Sequence, residues 1–341
     1  MSLFALITAL LLEQLHPLSS RKYLFGWLSS YVKFFQHHFN AGQQRHGRTA
    51  WLLAVVPLLA GAVALYQLLF RVHPVFAWAF NVLVLYLTMG FRQFSHYFTG
   101  IHQALRDGRL DEARRLLSVW RDIPSHELNA EEVARVTIEQ ALIASHRNVF
   151  GVIVWFVLFS AAGLGGAAGA LLYRLGQFLD KHWASRDEAE PDDLSSGGWG
   201  RDEYEDHLSG HPFGGFARLA FYYLDWLPVR LVAMTFAIVG NFEDTIYCWR
   251  TQAAIWPEAE VHLPGRPNEE GILLASGAGA LGVRLGMPIP QGGLPLDRPE
   301  LGIGDDADVD FMQSTIGLVW RSVVFWLILL LLLTLASLPG L

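Results

Sequence analysis

The sequence predicts an all-α integral membrane protein, a bundle of about four to six transmembrane or re-entrant helices with a cytoplasmic amphipathic helical hairpin. Hydrophobic residues make up 52% of the 341 residues, and the mean hydropathy is +0.29. Charged residues reach 17%, against about 25% in an average soluble domain. The 12 Trp and 10 Tyr residues favour the two membrane–water interfaces. We therefore interpret residues 1–341 as a single membrane domain.

Five apolar segments predict membrane helices, because about 20 mostly apolar residues are needed to cross about 30 Å of hydrocarbon. Residues 51–70 and 149–173 carry no charge, and residues 316–338 contain one Arg near their start. Residues 75–91 follow the first of these after a tight turn and predict a helical hairpin with it. Residues 2–15 predict a short or tilted helix.

Basic residues predict the orientation of these helices. Lys and Arg are concentrated in residues 16–49 and 92–147, so both stretches should be cytoplasmic in a multi-pass membrane protein. The span 149–173 then directs the acidic segment 186–212, a predicted flexible loop, to the outer side. The alternative is that the glycine-rich half of residues 149–173 turns back, which would keep Asp180 on the cytoplasmic side.

Residues 105–147 predict the cytoplasmic hairpin. The apolar stripe of residues 105–120 is typical of one amphipathic helix. Asn129, with Glu132 three residues later, resembles a capping box and predicts the start of a second helix that ends near residue 147.

The segment 216–240 combines an apolar composition with two ionisable residues, Asp225 and Arg230, and with Pro228 between them. An ionisable residue costs roughly 2.5–3.5 kcal/mol to insert into hydrocarbon, so it is normally paired or buried for a reason. A proline in a membrane helix also frees a carbonyl that a neighbour must satisfy. The segment is either an embedded site or a broken helix at the interface.

Several kinds of chemistry have no support in the sequence. The single cysteine, Cys248, excludes an internal disulfide framework and a multi-Cys zinc site. The 13 His residues are scattered without a metal-binding spacing, so we predict no metal site. The glycines of residues 163–169 lack the Lys-Ser/Thr of a phosphate-binding loop. No basic and aromatic patch indicates a nucleic-acid partner, and no catalytic residue can be identified from the motifs.

Five segments, in order along the chain, carry a family resemblance. They are RDGRLDEARRLLSVWRD at 106–122, YRLGQFLD at 173–180, LDWLPVR at 224–230, RPNEEGILLASGAGALGVRLG at 266–286 and RPELGIGDDADVDFMQSTIGLVW at 298–320. Together they resemble the CobD/CbiB family of integral membrane proteins over most of the length.

The resemblance implies an adenosylcobinamide-phosphate synthase of cobalamin biosynthesis. Such an enzyme joins an amino-alcohol phosphate to a carboxylate of adenosylcobyric acid in an ATP-dependent, amide-forming reaction that uses Mg²⁺. The implied partners are the lipid bilayer and a corrinoid or other anionic small molecule. Asp180, Arg230 and Asn268 match the family's pattern, and with Asp225 they are the predicted ligand-binding residues, converging on a polar cavity.

Other positions depart from the family. Its Glu-Asn-Thr-Val-Asp-Gly motif falls on HRNVFG at residues 146–151, so that both acids are replaced. Its Asp-Asp pair falls on Phe221 and Tyr222. These departures, with the opening MSLFALITALLLEQL, resemble the AmpE-like branch. That resemblance implies a non-catalytic membrane protein in β-lactamase regulation and cell-envelope signalling, or a scaffold for a membrane protein partner. With the synthase as the alternative, whether the chain is an enzyme stays open.

Overall fold

The computed structural model describes residues 2–15, 21–39, 44–183, 213–256 and 269–336. The acidic segment predicted at 186–212 and the predicted ligand-binding residue Asn268 lie outside the described residues.

The described residues are mostly helical, as predicted for an all-α membrane protein. The helices of the first half, in chain order, are α1 (Ser2–Leu15), α2 (Arg21–Phe39), α3 (Gln44–Val72), α4 (Pro74–Thr88), α5 (Phe91–Arg106), α6 (Leu110–Arg121), α7 (Ala130–Ser145), α8 (Gly151–Ala161) and α9 (Gly166–Trp183). A π-helical segment, His146–Phe150, joins α7 to α8 without a break.

The described residues of the second half form four further helices and a small strand region. The helices are α10 (Gly215–Val239), α11 (Phe242–Gln252) with a 3-10 turn at Ala253–Ile255, α12 (Glu269–Leu281) and α13 (Val309–Ala336). The strands are β1 (Val283–Gly286), β2 (Ile289–Gln291), β3 (Leu294–Leu296), β4 (Glu300–Leu301) and β5 (Asp305–Asp306).

Four helical stretches are long and apolar enough to cross a membrane: His46–Val72, Ala130–Ala161, Gly215–Val239 and Val309–Ala336. Two shorter apolar helices, α1 and α4, pack against each other. Large apolar side chains on α3 and α13 are exposed, among them Leu68, Leu332 and Leu333, each at about 57–60%. In a bilayer these side chains face lipid.

The prediction of one span over residues 149–173 is wrong. Helix α8 ends at Ala161, and α9 begins at Gly166 and packs back along α8. Gly163 and Gly165 between them adopt φ values of +73° and +88°, a conformation that is costly for other residues. The sequence did not mark this turn, because residues 149–173 are apolar throughout. The structure agrees instead with the stated alternative that the glycine-rich half of this segment turns back.

Side chains from α3 and α4 hold the α8–α9 turn in place. The Gln67 amide donates to the carbonyl of Gly163 at 2.7 Å, and Asn81 Oδ1 accepts from the Ala167 N–H at 2.9 Å. One backbone carbonyl and one backbone N–H at the turn are thereby satisfied by side chains of neighbouring helices.

The predicted hairpin over residues 105–147 differs from the structure in both helices. The first predicted helix is split, because Gly108, at φ +72°, ends α5 before α6 begins. The capping box of Asn129 and Glu132 is confirmed, with hydrogen bonds of 2.9 and 2.7 Å. Helix α7 is not peripheral, since 11 of its 16 residues are buried and it continues into α8.

Helix α10 passes through Pro228 without a break. Proline cannot donate to the carbonyl of Leu224, four residues earlier. The indole N–H of Trp155, on α8, donates to that carbonyl at 2.9 Å. The segment 216–240 is therefore a continuous helix whose freed acceptor is satisfied by a neighbouring helix, and not a broken interfacial helix.

A small strand region, which the sequence did not predict, connects α12 to α13. Strand β1 lies between β4 and β5, pairing antiparallel with β4 and parallel with β5, while β2 and β3 form a separate two-stranded ladder. Strands of two to four residues carry too little alternation of polar and apolar residues to be recognised.

The close approach of α8 and α9 depends on Gly169. A Cβ atom at this position would overlap the backbone carbonyl of Trp155. We expect Gly169→Ala to destabilise the protein by about 1–3 kcal/mol, as overpacking does, and to lower the unfolding temperature in detergent. Gly61→Ala is the matched control, because open space surrounds Gly61 on α3 and its replacement should be neutral or slightly stabilising. Equal unfolding temperatures for both variants would contradict this packing.

Candidate functional site

The centre of the candidate site is the buried carboxylate of Asp225, which is only 4% exposed. Its Oδ1 atom accepts two hydrogen bonds of 2.8 Å, one from Nε2 of His146 and one from the hydroxyl of Tyr173. These three side chains come from α10, the π-helical segment and α9. A buried ionised group needs such partners, because its burial alone is strongly unfavourable.

The local backbone explains how these side chains meet. In the π-helical segment, the N–H of Gly151 donates to the carbonyl of His146, five residues earlier. Single π-helical turns occur frequently at functional sites. Gly151 is also required for the approach of α9, because a Cβ atom there would overlap the ring of Tyr173.

His146 has unused hydrogen-bonding capacity. The side chain is 2% exposed, and its Nδ1 atom has no hydrogen-bond partner among the described residues. Since Nε2 points at a carboxylate, it carries the proton, and Nδ1 of the neutral ring is then an acceptor. A buried base oriented by a carboxylate is thus part of this site.

Charged groups of both signs surround this centre. Arg147 forms a 2.7 Å ion pair with Glu270, the second residue of α12. Asp180 lies 4.0 Å from Arg218 and interacts electrostatically with Arg147 as well. Burial raises the pKa of Asp180, and the two arginines partly oppose this effect.

The placement of Asp180 corrects the predicted topology. Arg147 precedes α8 and Asp180 lies near the end of α9, so the turn between these helices brings both residues to the same end of the pair. The outward placement of the segment after residue 173 depended on a single crossing over residues 149–173, and the chain instead reverses at Gly163–Gly165.

Glu269 contributes an unsatisfied carboxyl group to the site. Its Oε1 atom is buried and has no hydrogen-bond partner in the part of the chain that the structure describes. Burial raises the pKa of Glu269 to about 9, and repulsion from Asp225 adds to this, whereas Arg230 and Arg147 oppose it. At neutral pH this side chain is a neutral acid next to charged groups.

Arg230 is not the partner of Asp225, although both ionisable residues lie in the same apolar segment. Its Nη1 atom donates to the carbonyl of Trp226 at 2.8 Å, and its guanidinium lies 4.4 Å from the centre of the Trp226 ring. Five residues separate Arg230 from Asp225 on a continuous helix, so the two point to different faces. Arg230 still interacts electrostatically with Glu269 at the edge of the site.

Of the four predicted site residues, the structure brings Asp180, Asp225 and Arg230 near one group of charges around Arg147 and Glu269. The prediction missed five residues of this group: His146, Arg147, Tyr173, Glu269 and Glu270. His146 and Arg147 had a usable signal, because the Glu-Asn of the family motif falls on them, but the motif by itself predicts only the loss of its acids, at His146 and Phe150.

Comparisons with known proteins identify a family. The family model described as CobD/Cbib protein matches residues 3–192. The cobalamin biosynthesis protein CobD of Stutzerimonas stutzeri is 34% identical, over 97% of this chain and 98% of the relative. CobD of Chromobacterium violaceum is 32% identical, over 81% of this chain and 75% of the relative. CbiB of Salmonella typhimurium is 27% identical, over 83% of this chain and 80% of the relative. A search of the solved structures gives no match.

A double-mutant cycle tests the hydrogen bonds of Asp225. Tyr173→Phe should cost about 1 kcal/mol, and Asp225→Ala about 3–5 kcal/mol, because it leaves buried groups without a partner. In the Asp225→Ala background, Tyr173→Phe should cost almost nothing. Chemical denaturation in detergent measures all four proteins, with Tyr247→Phe as a control that removes an exposed hydroxyl. Additive effects would contradict the shared hydrogen bond.

The pH dependence of stability tests the environment of Glu269. Because its folded-state pKa, about 9, exceeds the unfolded value of about 4.5, the folded chain keeps a proton that the unfolded chain loses between these pH values. Stability therefore falls as pH rises, by at most about 1.4 kcal/mol per pH unit. Glu269→Gln should become progressively more stable than wild type from pH 5 to 9. Glu243→Gln, at an exposed position of α11, should leave the slope unchanged, and an unchanged slope in Glu269→Gln would refute the assignment.

Proposed function

Because the chain belongs to the CobD/CbiB family, we propose that it acts in cobalamin biosynthesis, as a multi-pass protein of the bacterial inner membrane. The finer proposal is the amide-forming reaction of an adenosylcobinamide-phosphate synthase. Relatives of this chain from three genera are named for cobalamin biosynthesis. The relatives reported above carry names from cobalamin biosynthesis and none from β-lactamase regulation, which favours the synthase over the AmpE-like alternative.

The observation that carries this proposal is the His146–Asp225 pair, buried in the membrane domain at 2.8 Å. Amide formation requires the substrate's ammonium group to lose its proton before the nitrogen can attack. A base buried near a carboxylate is suited to accept that proton, because Asp225 orients the imidazole and stabilises its charged form. Tyr173 fixes the same carboxylate oxygen at 2.8 Å.

The proposed reaction assigns roles to these groups. The carboxylate of the corrinoid is activated by ATP as an acyl phosphate. The amine attacks the acyl carbon, the C–N bond forms, the C–O bond to phosphate breaks, and His146 receives the amine's proton. The products are the amide, ADP and inorganic phosphate. Arg147, Arg218 and Arg230 supply positive charge for the anionic substrate groups.

A magnesium ion fits this site only in a limited role. Among the described residues, no group of three or more His, Cys, Asp and Glu side chains is arranged to hold a metal ion. In ATP-dependent enzymes, however, Mg²⁺ is held largely by phosphates, with one or two carboxylates. Glu269, with its unpartnered Oε1, and the adjacent Glu270 would fit that requirement, with the ion displacing the proton that Glu269 holds at neutral pH. When bound, the ion would neutralise charge on the phosphates of ATP.

Complementation tests the proposed activity. A bacterial strain that lacks its synthase is made dependent on cobalamin and given cobyric acid, and we expect the wild-type chain to restore growth. His146→Ala and Asp225→Ala should abolish growth, because each removes part of the proposed base. His96→Ala, an exposed histidine on α5, should have no effect.

Two controls make the result decisive. Cobinamide already contains the amide, so feeding it should support growth of every strain. Immunoblots of membrane fractions establish that each variant is present. No growth with wild-type protein in the membrane would reject the synthase, and growth with Asp225→Ala would reject the role of the base.

A further inference from the structure

A second polar cluster lies outside the candidate site, where the C-terminal end of α6 meets α7 and the strand region. We call it the arginine cluster, and its members are Arg121, Arg135, Glu139 and Arg298. It shares no residue with the site around Asp225. Glu139 lies on the same helix as His146, seven residues earlier, which corresponds to about 10 Å along the axis.

One ion pair in the cluster is complete. Glu139 and Arg298 are 6% and 8% exposed at their side chains, and Nη2 of Arg298 donates to both carboxylate oxygens at 2.7 and 2.9 Å. Glu139 Oε1 also accepts the Gly286 N–H at 2.8 Å. The single carboxylate of the cluster is therefore fully engaged by one arginine and one backbone group.

Arg135 is a buried cation that lacks a carboxylate partner among the described residues. It is 9% exposed, and its Nε atom has no hydrogen-bond partner. Its other contacts are long: 3.7 Å from Nη1 to the sulfur of Met287 and 3.5 Å from Nη2 to the carbonyl of Pro288. A 3.5 Å contact is long for an N–H···O bond, and a thioether sulfur is a weak acceptor, so the guanidinium is poorly compensated for its burial.

Arg121, the last residue of α6, adds a second uncompensated charge. In the described part of the chain it has no hydrogen bond or ion pair. Burial lowers the pKa of Arg121, and repulsion from Arg298 lowers it further, with Glu139 acting in the opposite direction. Because Glu139 is already paired with Arg298, the described cluster contains three guanidinium groups for one carboxylate.

A groove of about 300 Å³ runs beside this cluster. It is lined by Glu127, Pro288, Ile289, Pro290, Gly293 and Pro295. Pro288 belongs to the lining of the groove, and its carbonyl contacts Arg135 of the arginine cluster. The carboxylate of Glu127 is occupied by the Gly293 N–H, at 3.0 Å.

We propose that Arg121 and Arg135 bind a phosphate group that reaches the cluster through this groove. A phosphate monoester carries about two negative charges at pH 7, which matches the excess of two guanidinium groups. The planar guanidinium presents paired donors to phosphate oxygens, and such bonds are strong when partly buried. The phosphate belongs either to a soluble ligand or to the headgroup of an anionic lipid.

The test measures the retention of radiolabelled inorganic phosphate by the full-length protein in phosphatidylcholine nanodiscs. We expect Arg121→Gln to weaken retention by about tenfold or more, the loss expected for one charge-assisted hydrogen bond. Arg135→Lys keeps the charge but removes the planar fork, so it should weaken retention while preserving the fold. Arg115→Gln, an exposed arginine on α6, is the matched control and should bind as wild type does.

A second arm identifies the source of the phosphate group. In this arm the protein is extracted from membranes, and co-purifying phosphatidylglycerol is measured by mass spectrometry. Retention of inorganic phosphate in the first arm supports a soluble ligand. A lower amount of co-purifying phosphatidylglycerol in both Arg121→Gln and Arg135→Lys supports a lipid headgroup. The proposal is overturned if neither probe binds, or if Arg121→Gln and Arg135→Lys bind both probes as Arg115→Gln does. The phosphate-site proposal is tested by ligand binding and not by growth, so its outcome is independent of the proposed amide-forming reaction.

Discussion

The burial of Asp225 within an apolar helix is the constraint on which the arrangement of the membrane domain depends. A carboxylate in this position has to be matched by donors, and α10 itself supplies none. The donors come from His146 and Tyr173, on two other segments. The unpaired carbonyl of Leu224, one residue before Asp225, receives its donor from Trp155. Two consecutive residues of α10 thereby fix the positions of α8, α9 and the π-helical segment.

Glycine makes these contacts sterically possible. Gly151 and Gly169 lie where the Tyr173 ring and the Trp155 carbonyl leave no room for a side chain. In a bilayer, helices are held together by close packing and by hydrogen bonds more than by the hydrophobic effect, because lipid is as apolar as the helix surface. The polar centre and the glycine contacts are therefore parts of one packing arrangement, and each depends on the other.

The same arrangement explains how a family member with replaced acids retains a polar site. In the family motif the position of His146 is an acid, which would repel Asp225 at this distance. A histidine converts that contact into a hydrogen bond. The carboxyl groups of Glu269 and Glu270 lie at the start of α12, near Arg147, so acidic groups enter the site from a different element. The missing motif acids alone do not decide against catalysis.

The sequence by itself determined the membrane class, the apolar helices, the capping box at Asn129 and the unusual character of residues 216–240. These features are local, since composition, helical periodicity and a three-residue spacing specify them. Only the tertiary structure decided that the chain turns back at Gly163, because a glycine-rich turn inside a hydrophobic run leaves the mean hydropathy unchanged. It alone also decided which donors meet Asp225 and which arginines lack a carboxylate. Such pairings join residues about 50 to 160 positions apart, and they arise from helix packing that no local pattern encodes.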